Sequence, residues 1–587
     1  MILDKGMKKM KQSKLVLLMI MILFSLIVAA CSSEKTSTEN NKNDSTEEKS
    51  DNATTVVEDT QIPAEDPSAS PQLAVNRGNM VVVGLQEPGG VFTPYFNSSG
   101  YDGNVQSVMF PPLVDINEVG EPIPGLAESW DVSEDGLTYT FHLRDDLKFD
   151  DGTPLTTEDV EFTLTLLHDP SYGGGTDITE AKVVGGLDYK NGDAKSISGI
   201  ELINEQTIKI TTEEVNAQSL RLLGGQILQK EYYGKDYKKG NLDYLNALHL
   251  KPVGAGPFRF VDYLPGQEIR YEANEYFYDG KPEVDQFIYK TTEGDSQQFF
   301  QTGELDYSAL AANQDNFEFL QALGFANINV YTSSAYGYVT FNHEKEIFKD
   351  PKVRQAFIYG LDRQTIIDTY YQGYAQVANV PVSPTSWAYT DEVGSTNYDP
   401  EKAKELLEEA GWTEGDNGIR EKDGQKLVVY YFTSAGGLGD TFIPIAKENY
   451  KEIGIDLQIE QMDFNALLSR VEKGDHDLAS FSTTMLTDPY NGIESFHTKT
   501  NDTIIKGYGN EKIDGLIDAT IATNDQDERA AAFHELYKAL DEDPPVILMS
   551  YTKVLSGTNA RVEGFEPNGY RGIASSLKNL QVVDVQP

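Results

Sequence analysis

Residues 124–160 read PGLAESWDVSEDGLTYTFHLRDDLKFDDGTPLTTEDV, a strand, a turn and a helix start in direct succession. Leu137, Tyr139, Phe141 and Leu143 alternate with Thr138, Thr140, His142 and Arg144. One face is thus apolar and the other polar, the pattern of a half-buried strand. Asp131, Ser133, Asp135 and Gly136 fit the opening of a calcium loop, yet the twelfth position is His142, where a bidentate glutamate is needed. They read as a turn into the strand. Asp151-Gly152-Thr153-Pro154 is a second turn, and Thr156 with Asp159 three residues later opens a helix in capping-box manner.

Outward from this stretch the same alternation of element types continues. Upstream, Met80-Val81-Val82-Val83 begins the first apolar strand. Downstream, Asp350-Pro351 places a cap and an N1 proline before Val353, Ala356, Phe357, Gly360 and Leu361, an apolar stripe at helical spacing. Asp399-Pro400 does the same for Ala403, Leu406, Leu407 and Ala410, with Gly411 as the stop. A helix carrying Ile445 and Ile453 passes through Gly454 into the strand Ile455, Leu457, Ile459. Asp463 then caps a helix bearing Phe464, Leu467, Leu468 and Val471. The fold class is α/β.

The chain has 587 residues, too many for one core, so two or three packed units are expected. A formal charge of -45 at pH 7 excludes nucleic acid as a partner, because that binding rests on basic patches. Catalytic machinery is not apparent. The seven histidines show no H-x-x-x-H or H-E-x-x-H spacing, so no metal is expected. Gly254-Ala255-Gly256-Pro257 lacks the third glycine of a dinucleotide fingerprint, and Gly436-Gly437-Leu438-Gly439 has no Lys-Ser/Thr after it. No nucleophile–base pair or zinc motif supports an extracellular peptidase. No cofactor is expected, and the chain reads as a binding protein, not an enzyme.

The single cysteine, Cys31, excludes intramolecular disulfides and Cys-based metal clusters. Its position has a reason. Lys8, Lys9, Lys11 and Lys14 form a basic region ahead of an apolar run from Leu15 to Ala30, too short for a comfortable membrane span. Val28-Ala29-Ala30-Cys31 resembles a bacterial lipobox. That resemblance implies a signal peptide over 1–30, lipidation of Cys31, and attachment to the outer face of the cell membrane. Residues 31–77 are rich in Ser, Thr, Glu, Asp, Asn and Lys and read as an acidic disordered tether.

The segment Pro124 to Trp130, continuing through Asp135 to Arg144 and Phe149 to Pro154, resembles the signature of the oligopeptide/dipeptide/nickel class of transporter solute-binding proteins. Further matches follow in order: Pro252 to Phe258, Ala273 to Phe277, Gly303-Glu304-Leu305-Asp306, Asn342, Val353-Arg354-Gln355-Ala356, Leu361-Asp362-Arg363, Tyr398 to Ala403, Leu406-Leu407 and Ala410-Gly411-Trp412. Gly373-Tyr374-Ala375 with Pro381, Pro384 and Trp387 is most similar to the oligopeptide branch. The resemblance implies a large bilobal fold of the periplasmic-binding-protein type II class with an additional third domain, lobes joined by crossing strands, and a peptide or similarly elongated solute held between them. It also implies a monomer that delivers its ligand to membrane permease subunits of an ABC importer driven by separate ATPases. By analogy lobe I is 78–112, 246–332 and 548–587, the extra domain 113–245, and lobe II 333–547. Within the same fold the ligand could instead be a nickel chelate, sugar or opine, and the role could be peptide sensing at the cell surface.

One departure from the family bears on the ligand. Peptide-binding relatives carry a tryptophan and then an aspartate ahead of an acidic-proline pair, and that aspartate neutralises the peptide's α-ammonium. Counting back from Asp488-Pro489 puts Ser482 at the tryptophan position and Met485 at the aspartate position. Either Asp488 takes over the role after a loop shift, or the terminus is not gripped there, in which case ligands lacking a free α-amine are tolerated. Phe481, Ser482, Thr483 and Met485 are expected to line the cleft. Asp463, Phe464 and Arg470 resemble cleft-facing positions on the preceding helix, and Tyr95, Asn97, Trp387, Tyr490 and Tyr551 are candidate walls; ordinary core packing is the alternative for each aromatic.

Overall fold

The structure is a computed structural model describing residues 56–585 except 98, 293, 295, 395–396, 484–486 and 501. The expected signal peptide over 1–30, Cys31 and residues 32–55 of the expected tether lie outside the described residues.

One mixed sheet of twelve strands runs through the molecule. Its path is Asp456–Met462, Val428–Ser434, Leu478–Ser482, Ala326–Phe341, Val546–Asn559, Tyr307–Leu310, Met80–Leu85, Gln286–Thr291, Glu268–Ala273 and Phe258–Leu264. Two short strands, Thr60–Ile62 and Ala375–Val377, attach to the central pair. Met80–Leu85 is flanked by parallel neighbours, which explains its unbroken run of valines. Val81 and Val83 pack into one core with Phe92, Phe110 and Phe287, and Val82 into another with Phe300 and Leu320 on the opposite face. A parallel strand covered on both sides needs apolar residues at every position.

At the other end of the sheet, Val429 and Tyr431 pack beneath the helices Pro351–Tyr359, Pro400–Glu409 and Leu438–Glu452. Asp350 and Asp399 cap the first two as expected, each accepting from a backbone N–H of the first turn. The central pair, Ala326–Phe341 and Val546–Asn559, belongs to both ends. Its antiparallel register shifts between Thr332 and Tyr336 and again between Gly337 and Tyr338. Extra residues on one strand bend it and strengthen its twist, so the break falls where the sheet passes from one end to the other.

A separate antiparallel sheet, Ala127–Val132, Thr138–Leu143, Thr207–Thr211 and Ile200–Leu202 in spatial order, has its own core. Tyr139, Phe141 and Leu143 are buried in it, and the helix Thr157–Leu167 starts with the capping box of Thr156 and Asp159. The turn at Asp135 forms through Ser133 Oγ and Leu137 N donating to its carboxylate at 2.5 and 3.1 Å.

The disordered stretch expected to run to residue 77 does not do so: residues 57–62 are already tied to the fold. Val57 N donates to Gly373 O at 2.9 Å, Thr60–Ile62 pairs with Ile328 to Val330, and Asp59 bonds Thr332 and pairs with Lys553 at 2.5 Å. Val57 and Ile62 lie against the core beneath that strand. Two apolar anchors in an otherwise polar stretch fix the chain from residue 57 onward, a signal that average composition hides.

Candidate functional site

The extra sheet's domain reaches the far end of the main sheet through the segment around Ala217. Ala217 N donates to Ile521 O at 2.9 Å, and Gln218 Nε2 donates to Asp488 Oδ1 at 2.9 Å. Asp488 also caps Tyr490 N and is held by both terminal nitrogens of Arg529, at 2.8 and 3.1 Å. The Arg529 guanidinium stacks 4.9 Å over Trp387, which meets Phe533 edge-on at 5.7 Å. Between this cluster and Val119, Gly120 and Tyr570 only about 10 Å³ remains. Charge-assisted hydrogen bonds join the two segments here.

Beside this contact the two walls part around a cavity of about 1060 Å³. Segments 175–182 and 214–222 form one wall, and 491–500 and 518–522 the other. Its lining is polar. Asp177, Glu180, Glu214, Glu494 and Asp518 stand against Lys182, Arg221 and Lys499, with His497 among them. Asp177 pairs with Lys190 at 3.6 Å, and Asp518 with His497 and Lys499 at 3.3 and 3.6 Å. Burial, then the Glu180 carboxylate, pushes the Glu494 carboxyl up to about 7. Burial also raises Glu180.

Of the residues expected at the site, Trp387 and Asp488 line the closed gap and none lines the large cavity. Asp488 is already neutralised by Arg529 and satisfied by backbone and amide donors. Tyr490 lies beneath the cavity wall at 0% exposure, and the charges acting on its phenol are those of Glu180, Glu494, Asp518 and Arg221. Tyr95 braces the fold: its hydroxyl donates to Gln226 O at 2.7 Å and its carbonyl accepts from the Tyr172 hydroxyl at 2.9 Å. Tyr551 likewise donates to Val380 O at 2.6 Å, and Asn97 Nδ2 donates to Ser99 O at 3.2 Å. Ser482 and Thr483 end a strand, Ser482 pairing with Gly337 and Thr483 N donating to Tyr336 O at 3.0 Å. Phe481 lies 6.3 Å from Tyr338 and edge-on to Phe464, which is 56% exposed. Asp463 caps Ala466 N, and Arg470 pairs with Glu460 and stacks 4.2 Å over Phe432. Met485 lies outside the described residues.

The cavity residues Glu180, Arg221, Glu494, His497 and Lys499 escaped the sequence reading. They are isolated polar residues in a chain full of carboxylates, and only the folded topology gathers them. The glycine pair has a packing role: a Cβ on Gly254 would meet Met109 O at 2.2 Å, and one on Gly256 the Val108 O at 2.6 Å. Among the described residues, no group of three or more His, Cys, Asp or Glu could hold a metal ion, and no helix is long and apolar enough to cross a membrane.

Residues 121–503 match the family model for bacterial extracellular solute-binding proteins, family 5 Middle. The oligopeptide-binding protein AppA of Bacillus subtilis (strain 168) is 27% identical over 504 residues, covering 83% of this chain and 89% of that protein. The solved structure of Bacillus subtilis AppA in complex with a nonapeptide superposes with a TM-score of 0.73 at 24% identity, over 86% of this chain and 99% of that one. NikZ from Campylobacter jejuni, in complex with Ni(L-His), gives a TM-score of 0.75 at 23% identity with the same coverage.

Proposed function

The chain belongs to the bacterial extracellular solute-binding proteins, family 5, and from that premise we propose that it captures oligopeptides between two lobes and hands them to the permease of an ABC importer. It is a transport binding protein, not an enzyme. The cavity of about 1060 Å³ between the extra domain and the far end of the sheet carries this reading. Its size suits a ligand of several residues. The division into lobe I (78–112, 246–332, 548–587), extra domain (113–245) and lobe II (333–547) is part of the same proposal. Ala326–Phe341 and Val546–Asn559 are then the hinge strands, and their irregular register at Thr332 to Tyr338 is where bending is absorbed. A ligand that touches both walls binds the closed form better and shifts the population toward it.

We further infer that the mature chain is a monomer held at the outer face of the membrane by a lipid on Cys31, on the grounds of the basic and apolar N-terminal pattern and the residues before that cysteine. Thermal shift of the purified chain against a pentapeptide pool tests capture. A rise in Tm that grows with peptide concentration is expected from mass action; no rise at millimolar peptide contradicts it. Metabolic labelling with a fatty acid tests the anchor, and undiminished labelling of Cys31→Ala would refute it.

A further inference from the structure

A second cavity, of about 320 Å³, is lined by residues 61–63, 327–329, 558 and 562–565 and shares none of them with the large one. Strand register fixes which side chains face it. Gln61 stands opposite Asn329, and Asn327 opposite Thr558, and paired residues carry their side chains on one face of a sheet. Ile328 between the two asparagines points the other way, into the core with Val82, Phe300 and Leu320. Gln61, Asn327, Asn329 and Thr558 therefore form a polar row across three strands, on the face where Val562 and Phe565 pack with Val83 and Tyr307. The row is uncharged in a chain of net charge -45, and the one ionisable side chain on the lining, among the described residues, is the exposed Glu563.

Asn329 points to a ligand. It is only 8% exposed, yet its amide has no hydrogen-bond partner among the described residues. The Gln61 amide is likewise without one, and Asn327 commits only its oxygen, which accepts from Ala64 N at 2.9 Å. Enclosing an amide without a partner costs free energy, which a bound group able to donate and accept recovers. We propose that this cavity is a second binding site, for a neutral polyhydroxylated ring of the size of a pyranose sugar. Each free amide offers a donor and an acceptor together, which adjacent ring hydroxyls match in pairs. Pro63, Val562 and Phe565 supply apolar contact for the ring's C–H surfaces. Such a lining, apolar walls with a few convergent polar groups, is that of a small-molecule site, and the volume lies at the lower end of the usual range of about 300–1,000 Å³. A charged ligand does not suit it, because a charge enclosed without a partner is costly. The three contributing strands are Thr60–Ile62 and the two long strands of the sheet, so a bound ring ties them together.

The test is saturation-transfer-difference NMR on the purified full chain with four probes at millimolar concentration: glucose, N-acetylglucosamine, glucosamine and glucuronate. Transfer to the two neutral sugars is expected to exceed transfer to the two charged ones. Asn329→Ala and Gln61→Ala should each weaken sugar binding about threefold or more, the scale of one lost hydrogen bond, and the double variant should abolish it. Neither amide has a protein partner to lose, so Tm should stay near that of wild type, and the Tm rise with the pentapeptide pool should be unchanged. Gln61 is exposed, so its variant folds even where Asn329→Ala does not. The sugar signals should also persist in the presence of excess pentapeptide pool. Four results would overturn the site: no transfer to any sugar, which leaves a hydrated cavity only; equal transfer to neutral and charged sugars; undiminished transfer in Gln61→Ala and in the double variant; or loss of the signals on adding peptide, which would place the sugar in the large cavity. None of these bears on the peptide reading, which the Tm rise with peptide tests by itself.

Discussion

Asp306 closes the family-like run Gly303 to Asp306 and is completely buried, with Arg561 Nη1 at 2.7 Å from one oxygen, and Arg77 and the Val82 N–H on the other. Arg561 is itself buried and reaches the Gly78 and Met80 carbonyls. The carboxylate thus ties the start of strand Met80–Leu85 to the residues that follow Val546–Asn559. Removing it strands two guanidinium groups, one of them fully buried. Asp306→Ala should destabilise by about 3–5 kcal/mol, the usual loss when one partner of a buried pair is deleted; urea unfolding with a loss below about 1 kcal/mol would contradict this. Glu494 makes a pH prediction. Its carboxyl titrates at about 7 in the folded chain against an ordinary value of 4.5. Between those values the folded state keeps a proton that the unfolded chain has released, so this group's stabilising share is present below pH 4.5 and lost as pH rises to 7. Stability of the ligand-free protein should fall over that window more steeply in wild type than in Glu494→Gln. Parallel slopes for the two proteins would show that the carboxyl is not buried as described.

The elements divide by how locally they are specified. Helix starts at Thr156, Asp350, Asp399 and Asp463 were legible because a cap and its first turn lie within four residues. The strand around Tyr139 was legible from alternation alone. Strand Thr60–Ile62 was not, because its partner lies far along the chain and only Val57 and Ile62 mark it. At Asp463 the cap was legible in the same way, and Phe464 beside it, expected at a cleft-facing position, is 56% exposed while Leu467 and Val471 pack into the core. The first strand makes its own prediction. A chain starting at residue 63 loses the pairing with Ile328 to Val330 and the Asp59 contacts to Thr332 and Lys553. It should melt several degrees below a chain starting at residue 56, and its Ala326–Thr332 amides should exchange faster. Identical melting would mean that this strand adds nothing to the hinge.

At the scale of the molecule, one sheet continues through both ends and, among the described residues, two long strands carry it across. That geometry suits the proposed hinge, and the hydrogen bonds Ala217–Ile521 and Gln218–Asp488 join the extra sheet's side to the far end of the main sheet. The resemblance in the sequence led to this architecture; the composition of the cavity wall did not follow from it, because ligand-facing residues are set by the solute and carry no periodic pattern. Ala522 lines the cavity from an exposed loop, so a large side chain there occupies the space proposed for the ligand without disturbing a core. The most direct measurement is the native mass spectrum of wild type and Ala522→Trp, each equilibrated with a pentapeptide pool. We expect one peptide per chain on wild type and little or none on Ala522→Trp at an unchanged Tm; equal peptide on both proteins, or none on wild type, would contradict capture in this cavity.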